Sequence, residues 1–245
     1  MNNESCPFFY FGLLVTGKSE ESYLPNLFLS LMRLGICTFQ TIRKIEQLDP
    51  ISSPKKLRRK ENGKGIPDRD AQRIGFPARQ YLQKPCSFVL LIDDLEDDRK
   101  EKIEQVFQLY RKILDEILKQ DKDRASVHFL VNMLEAYYFA DTTATNGVLG
   151  TSLEDYEGDV EEIRHPKNDL NKKVKELDKN RKFKEKEDGG KILELLNVEK
   201  ILSNPETCAS LRTIFAWCMQ RMGQEFGDRY QLKTGKLNEI TKTQI

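Results

Sequence analysis

Carboxylates gather where apolar runs of strand length end. Glu20 and Glu21 follow the run from Phe8 to Val15, across a Thr16-Gly17-Lys18-Ser19 turn. Asp93, Asp94, Glu96, Asp97 and Asp98 follow Ser87 to Ile92. Glu135 and Asp141 lie in VNMLEAYYFAD, after Val127 to Val131. Like charges brought together raise one another's pKa values, and a bound divalent cation removes that cost. Mg²⁺ takes a few carboxylate oxygens and keeps several waters. One or two such ions activate water and stabilise in-line displacement at phosphorus. The acids therefore point to metal-dependent phosphodiester chemistry. A plainer role remains open for Asp97 and Asp98, since acids at a helix N-terminus are welcome there. For Glu135, among apolar and aromatic neighbours, the alternative is a buried hydrogen bond or salt bridge.

A second feature is basic. Residues 54–73 carry eight Lys or Arg against three acids, so KKLRRK suits phosphates as well as it suits a solvated loop. Tyr137 and Tyr138 fit either base stacking or core packing. GLLVTGKS matches the letters of a phosphate-binding loop, but Leu, Leu, Val and Thr continue the strand where small flexible residues are needed. His128 sits mid-strand and His165 in a polar stretch, with no Cys/His spacing for zinc. A Ser elbow, G-x-S-x-G, is absent.

The elements that must position these residues alternate. Phe8–Val15 reads as a buried strand, and Leu24 to Leu34 as a helical stripe that Gly35 stops. Residues 36–45 read as a second strand, 46–67 as a long exposed basic loop, and 68–83 as a short helix. SFVLLI, an amphipathic helix from Ile103 to Leu118, the Val127–Val131 strand and a short helix over 133–140 complete the first part. Strand and helix in alternation predict a mostly parallel α/β sheet with helices on both faces. In such sheets sites form outside the carboxyl ends of the strands, where the acids fall. After Asp141 the pattern changes. Residues 142–165 are polar, three helical patterns follow near 168–180, 190–203 and 206–223, and the tail after 224 lacks periodicity. The expected division is an α/β part, 1–141, and a mainly helical C-terminal extension, 142–245.

Composition bounds the rest. The chain has 245 residues, 38% hydrophobic and 32% charged, enough to bury a core. Lys plus Arg is 40 and Asp plus Glu 39, a near-neutral balance that argues against a generic nucleic-acid coat and leaves room for a local basic groove. Five Cys without C-x-x-C spacing read as small buried thiols in a reducing compartment. FFYFGLLV is too short to span a bilayer, so the expected location is cytoplasmic, with no membrane partner.

Taken in order, LLVTGKSEESYLP, VLLIDDLEDD, MLEAYYFAD and the closing NPETCASLRTIFAWC resemble a TOPRIM-like family of bacterial proteins. Its members are often encoded beside ABC-type or AAA ATPases and are related to the nuclease domain of overcoming-lysogenization-defect proteins. The resemblance covers most of the chain and implies a Mg²⁺- or Mn²⁺-dependent nuclease acting on DNA or RNA, in antiphage defence with an ATPase partner. Asp93 and Glu135 would be the main metal ligands, with Glu20, Asp94 and Glu96 as supporting ligands or general base. Lys18 would stabilise phosphate charge, and Lys55, Lys56, Arg58, Arg59 and Lys60 would hold the nucleic-acid backbone. Two departures count against cutting. Thr16 stands where such nucleases carry Glu, and Leu95 stands where Asp-x-Asp would place its second acid. Glu20 or Glu21 is the candidate to supply the missing carboxylate. Without it, a non-catalytic nucleic-acid-binding or ATPase-adaptor subunit is the alternative.

Overall fold

The computed structural model describes residues 6–48, 58–61, 64–67, 69–95, 97–223, 230 and 232–245, with backbone alone for 58–61, 64–67, 97 and 98. Strand β1 (Phe9–Val15) is flanked by β2 (Cys37–Lys44) on one side and β5 (Ser87–Leu95) on the other, and β6 (Ala125–Val131) closes the far edge. The order is β2-β1-β5-β6 and every neighbouring pair is parallel. The two central strands are the FYFGLLV and SFVLLI runs. Both their faces are covered, which is why their sequences do not alternate.

Helices cover both faces. On one, α3 (Arg69–Tyr81) and α5 (Ile103–Leu118) bury Ile74, Ala78, Val106, Tyr110 and Leu114 against Leu14, Val89 and Leu91. The opposite face carries Phe11, Leu13, Leu90 and Ile92, packed against Leu27, Phe28 and residues from after Asp141, including Phe215 and Trp217 of α10 (Ala209–Met222). Phe11 stacks on Phe39 at 4.6 Å and meets the edge of Trp217 at 6.5 Å. Aromatic pairs of this kind add about 0.5–1.5 kcal/mol each beyond area burial. Apolar residues on both sides of Asp141 thus share one core. The shorter helices α4 (Asp97–Lys100), α7 (Pro166–Leu177), α8 (Gly190–Leu195) and α9 (Val198–Ser203) lie between these elements in the chain.

Several elements differ from the sequence-based expectation. The first helix is broken into α1 (Lys18–Tyr23), a 3-10 segment (Leu24–Phe28) and α2 (Leu29–Met32), with Pro25, which lacks an N–H, at the junction. The stretch read as a bare loop contains an antiparallel pair, β3 (Arg58–Glu61) and β4 (Lys64–Pro67). They are separated in sequence by Asn62-Gly63, a pair that two-residue hairpins favour. Residues 142–165 hold a helix, α6 (Thr142–Leu149), whose first N–H is bonded to Asp155 Oδ1 at 2.8 Å. The aperiodic tail is docked at its end: Gln244 donates from Nε2 to the Val127 carbonyl (2.7 Å) and accepts from the Val127 N–H (2.9 Å), covering the β6 edge. Cys86 is not a free thiol but is disulfide-bonded to Cys6, while Cys37, Cys208 and Cys218 are free and buried. Among the described residues no helix is long and apolar enough to cross a membrane.

Candidate functional site

The chain leaves β1 toward β2 and later returns to the other side of β1 as β5, so the strand order reverses between β1 and β5. Open α/β sheets form ligand crevices at such a switch point, beyond the carboxyl ends of the strands. Thr16 and Asp93 occupy those two ends and are bonded to each other, Thr16 Oγ1 donating to Asp93 Oδ1 at 2.9 Å. The same hydroxyl accepts from the Asp94 N–H at 3.1 Å. Where the resemblance would place a glutamate, Thr16 therefore ties the two central strands together.

Beyond this link the chain turns at Gly17, and Glu20 folds back over that turn. A Cβ at residue 17 would overlap the Glu20 carboxylate, so glycine here provides space for the acid. Glu20 is 5% exposed and Glu135 4% exposed. Glu135 arrives from the far edge. After β6, Asn132 and Met133 both adopt positive φ, +58° and +74°, a left-handed corner that costs non-glycine residues energy. Asn132 anchors the corner by donating to the Glu161 carbonyl at 2.6 Å. The 3-10 segment Leu134–Phe139 that follows carries Glu135 to the acidic edge.

Electrostatics records the result. Burial raises the Glu20 pKa, its own backbone N–H opposes that, and the Asp93 charge raises it further. Burial pushes the Glu135 carboxyl up to about 7; its own N–H opposes, the Glu20 charge adds to the rise, and Lys167 partly offsets it. Glu20 thus lies in the field of Asp93 and Glu135 in that of Glu20. The sheet alternation turns Asp93 with Leu91 and Leu95 toward the α3/α5 layer, whereas the Glu135 segment packs on the opposite layer. Asp93 therefore faces the layer opposite the one on which the Glu135 segment packs, while the Glu20 charge acts on Glu135.

Residues 15–215 match the family described as a domain of unknown function (DUF4276). The chain belongs to the DUF4276 family. No curated protein and no solved structure matches it. The matched span runs from the last residue of β1 into α10, so it contains all three acids of this DUF4276 edge.

Asp93 is fully buried and saturated by protein donors. Arg99 reaches both its oxygens, Nη1 to Oδ1 at 3.1 Å and Nη2 to Oδ2 at 2.7 Å, and Gln47 Nε2 donates to Oδ1 at 3.1 Å. Leu95, where the resemblance would place a second acid, is packed in the core with the α5 residues. Glu20 and Glu135 differ from Asp93: among the described residues neither accepts a hydrogen bond from another side chain. Two buried carboxylates of this kind fit Mg²⁺, which commonly takes one or two carboxylates and fills the remaining positions with water and substrate phosphate. Asp93, held by Arg99, does not fit in this arrangement. No group of three or more His, Cys, Asp or Glu among the described residues is placed to hold a metal ion.

Lys18 is exposed on the first turn of α1. Ser19 donates to Glu185 Oε2 at 3.1 Å, and Glu185 also pairs with Lys167. The backbone carbonyl of Asp94 accepts from Gln47 at 2.8 Å and from Arg99 at 3.2 Å. Lys55, Lys56 and Glu96 lie outside the described residues, as do the side chains of Arg58, Arg59, Lys60, Asp97 and Asp98. Asp141 is remote in role: it accepts from Lys200 Nζ (2.9 Å) and the Asn197 N–H (3.0 Å), fixing α9. Tyr137 and Tyr138 are buried, their hydroxyls donating to Glu161 and the Gly189 carbonyl, so they pack the core and do not face a base. His128 is buried beside Ser126, with its pKa lowered by desolvation to about 3.

Sequence reasoning missed Arg99, Gln47, Lys167 and Glu185. Arg99 left only a weak signal, one of two adjacent cations with Lys100 at the end of an acid run. Gln47 and Lys167 left none, because only chain folding brings them to the acids.

Proposed function

We propose that this chain is a TOPRIM-like, Mg²⁺- or Mn²⁺-dependent nuclease hydrolysing phosphodiester bonds in DNA or RNA. Its ion ligands are Glu20 and Glu135. The observation that carries the proposal is a pair of buried carboxylates, Glu20 beyond β1 and Glu135 beyond β6, each raised in pKa by burial and Glu135 further by the Glu20 charge. A bound divalent ion supplies charge neutralisation and an acidic water there. Glu20 and Glu135 would hold such an ion, Gly17 leaves space for Glu20, and Thr16 ties the ends of the two strands together. Lys18, exposed on the first turn of α1, would meet an incoming phosphate, and the basic 54–73 stretch would supply further positive charge. An ABC- or AAA-type ATPase partner and a role in antiphage defence follow from the resemblance of the motifs.

The test is a Mg²⁺ and Mn²⁺ titration with plasmid, single-stranded DNA and RNA, comparing wild type with Glu20→Gln and Glu135→Gln. Metal-dependent cleavage lost in both variants supports the proposal; cleavage that survives in both refutes it. A non-catalytic binding or adaptor role is favoured by one specific observation, the full engagement of Asp93 by Arg99, Thr16 and Gln47. It would appear as metal-independent nucleic-acid binding without cleavage, weakened when Lys55 to Lys60 are neutralised.

A further inference from the structure

A second concavity lies at the amino-terminal end of β6, away from the carboxyl ends of the strands. A cavity of about 520 Å³ opens between α5, the 3-10 segment Lys119–Arg124, the end of α10 and the 3-10 turn Thr241–Gln244. That is the size of a small-molecule site. Its lining includes three cations, Arg111, Lys122 and Arg221, against two carboxylates, Asp115 and Asp123. Arg111 is already committed. Its Nε and Nη2 donate to Asp115 Oδ1 at 3.0 and 2.7 Å, and its Nη1 and Nη2 hold the Ala125 and Lys122 carbonyls at 2.7 and 2.9 Å. Arg221 is not. Its Nη2 donates to two neutral acceptors, the Gln244 carbonyl and Gln220 Oε1, each at 3.2 Å, and its Nε is buried with no acceptor. Its guanidinium carbon lies 5.1 Å from the Trp217 ring centroid, and among the described residues no carboxylate pairs with it. Burial lowers its pKa, and the charge of Asp123 only partly opposes that.

We propose that this cavity binds the phosphate of a small phosphorylated molecule, with Arg221 and Lys122 as its charge partners and Arg111 bracing the wall. The site is separate from the acidic edge, since none of Glu20, Asp93 and Glu135 lines it. A partly buried cation without a counter-charge is costly, and an oxyanion in the cavity removes that cost. Lys122 is exposed and, among the described residues, also has no carboxylate partner. A phosphate dianion therefore suits two unneutralised cations carried by different elements, where a monocarboxylate would satisfy one. Arg meets phosphate through paired, charge-assisted donors. Asp115 does not compete, because Arg111 holds it. The chain's tail belongs to the same wall. Gln244 takes Arg221 at its carbonyl while its side chain clasps Val127 on β6 in both directions. A ligand that binds only with the tail docked also stabilises the docked tail.

The experiment is calorimetry on the full chain at constant ionic strength, with EDTA present so that no divalent ion bridges the anion to the acidic edge. The probes are inorganic phosphate, pyrophosphate and adenosine monophosphate, with acetate as the carboxylate control. Wild type is compared with Arg221→Gln, Lys122→Ser and, as a control, Arg33→Gln, an exposed arginine outside the cavity. The expected result is binding of the phosphate probes, weakened at least about tenfold in Arg221→Gln by loss of a charge-assisted contact, weakened less in Lys122→Ser, and unchanged in Arg33→Gln. Adenosine monophosphate binding tighter than inorganic phosphate marks a nucleotide as the source of the phosphate; equal binding marks the free anion. Hydrogen exchange should show the Val127 amide slowed by the same probes in wild type. Should Arg221→Gln fold poorly, the exposed Lys122→Ser carries the comparison. No binding of any phosphate probe, binding unchanged in both cavity variants, or acetate bound as tightly as phosphate overturns the proposal.

Discussion

Glu135 offers the sharpest perturbation, because replacement by Gln mimics its protonated form without changing its size. Burial and the Glu20 charge place its folded pKa at about 7, against an ordinary value of 4.5. The sign follows from linkage. Below the ordinary value the carboxyl is protonated in both folded and unfolded chains, and its contribution is fully present. As pH rises toward 7 the unfolded chain gives up its proton while the folded chain retains it, so stability falls, and the loss is complete above the folded pKa. At about 1.4 kcal/mol for each tenfold step, the ionised group costs roughly 3 kcal/mol. Urea unfolding of wild type and Glu135→Gln at about pH 8 should therefore find the variant more stable by roughly 3 kcal/mol, with the gap shrinking to under about 1 kcal/mol near pH 5. Mg²⁺ added at the higher pH should narrow the gap by stabilising wild type alone. A gap of the same size at both pH values would refute the reasoning, since the carboxyl would then carry no buried charge to relieve.

Other expectations follow from single contacts. Gly17→Ala displaces the end of the Glu20 side chain and not backbone, so thermal unfolding should shift by only a few degrees while calorimetry finds Mn²⁺ affinity down about tenfold or more. Arg212 is buried and donates to the carbonyls of Leu202, Lys233, Asn204 and Thr207, so Arg212→Ala should cost more than about 3 kcal/mol in urea unfolding; a loss under about 1 kcal/mol would contradict its clamping role. Glu161 accepts from the Ser210 and Leu211 N–H groups at the start of α10 and from Tyr137, and Glu161→Ala should cost about 2–4 kcal/mol in the same measurement. Changing Arg58, Arg59 and Lys60 together to Ser should weaken nucleic-acid binding alike for all sequences and flatten the log-affinity against log-salt slope by up to about 3. An unchanged slope would remove these residues from the interface.

The sheet was legible because its two central strands are buried on both faces and must be written as unbroken apolar runs. Glu135 stood out because it is a charge among apolar and aromatic neighbours, while Glu20, in the polar KSEESY, carried no such signal of burial. What stayed hidden was long-range. Arg99 looks like an ordinary solvated cation until Asp93 and the Leu48 carbonyl are seen to close around it. α6, TTATNGVL, has no apolar stripe, and its N-terminus is secured by Asp155, which sequence spacing does not connect to it. The β3–β4 pair is RRKE against KGIP, charged strands with no alternation to read. The docking of Gln244 on β6 depends on one side chain matching one exposed backbone pair, which periodicity does not encode.

The most direct measurement is a crystal soaked in Mn²⁺ and recorded at the manganese anomalous edge. The expected result is an anomalous peak between the Glu20 and Glu135 carboxylates, lost when either is changed to Gln. Cleavage activity in a crystal form whose soaked protein shows no peak at these two side chains, or a peak at unrelated residues, would contradict the assignment of the ion to this edge.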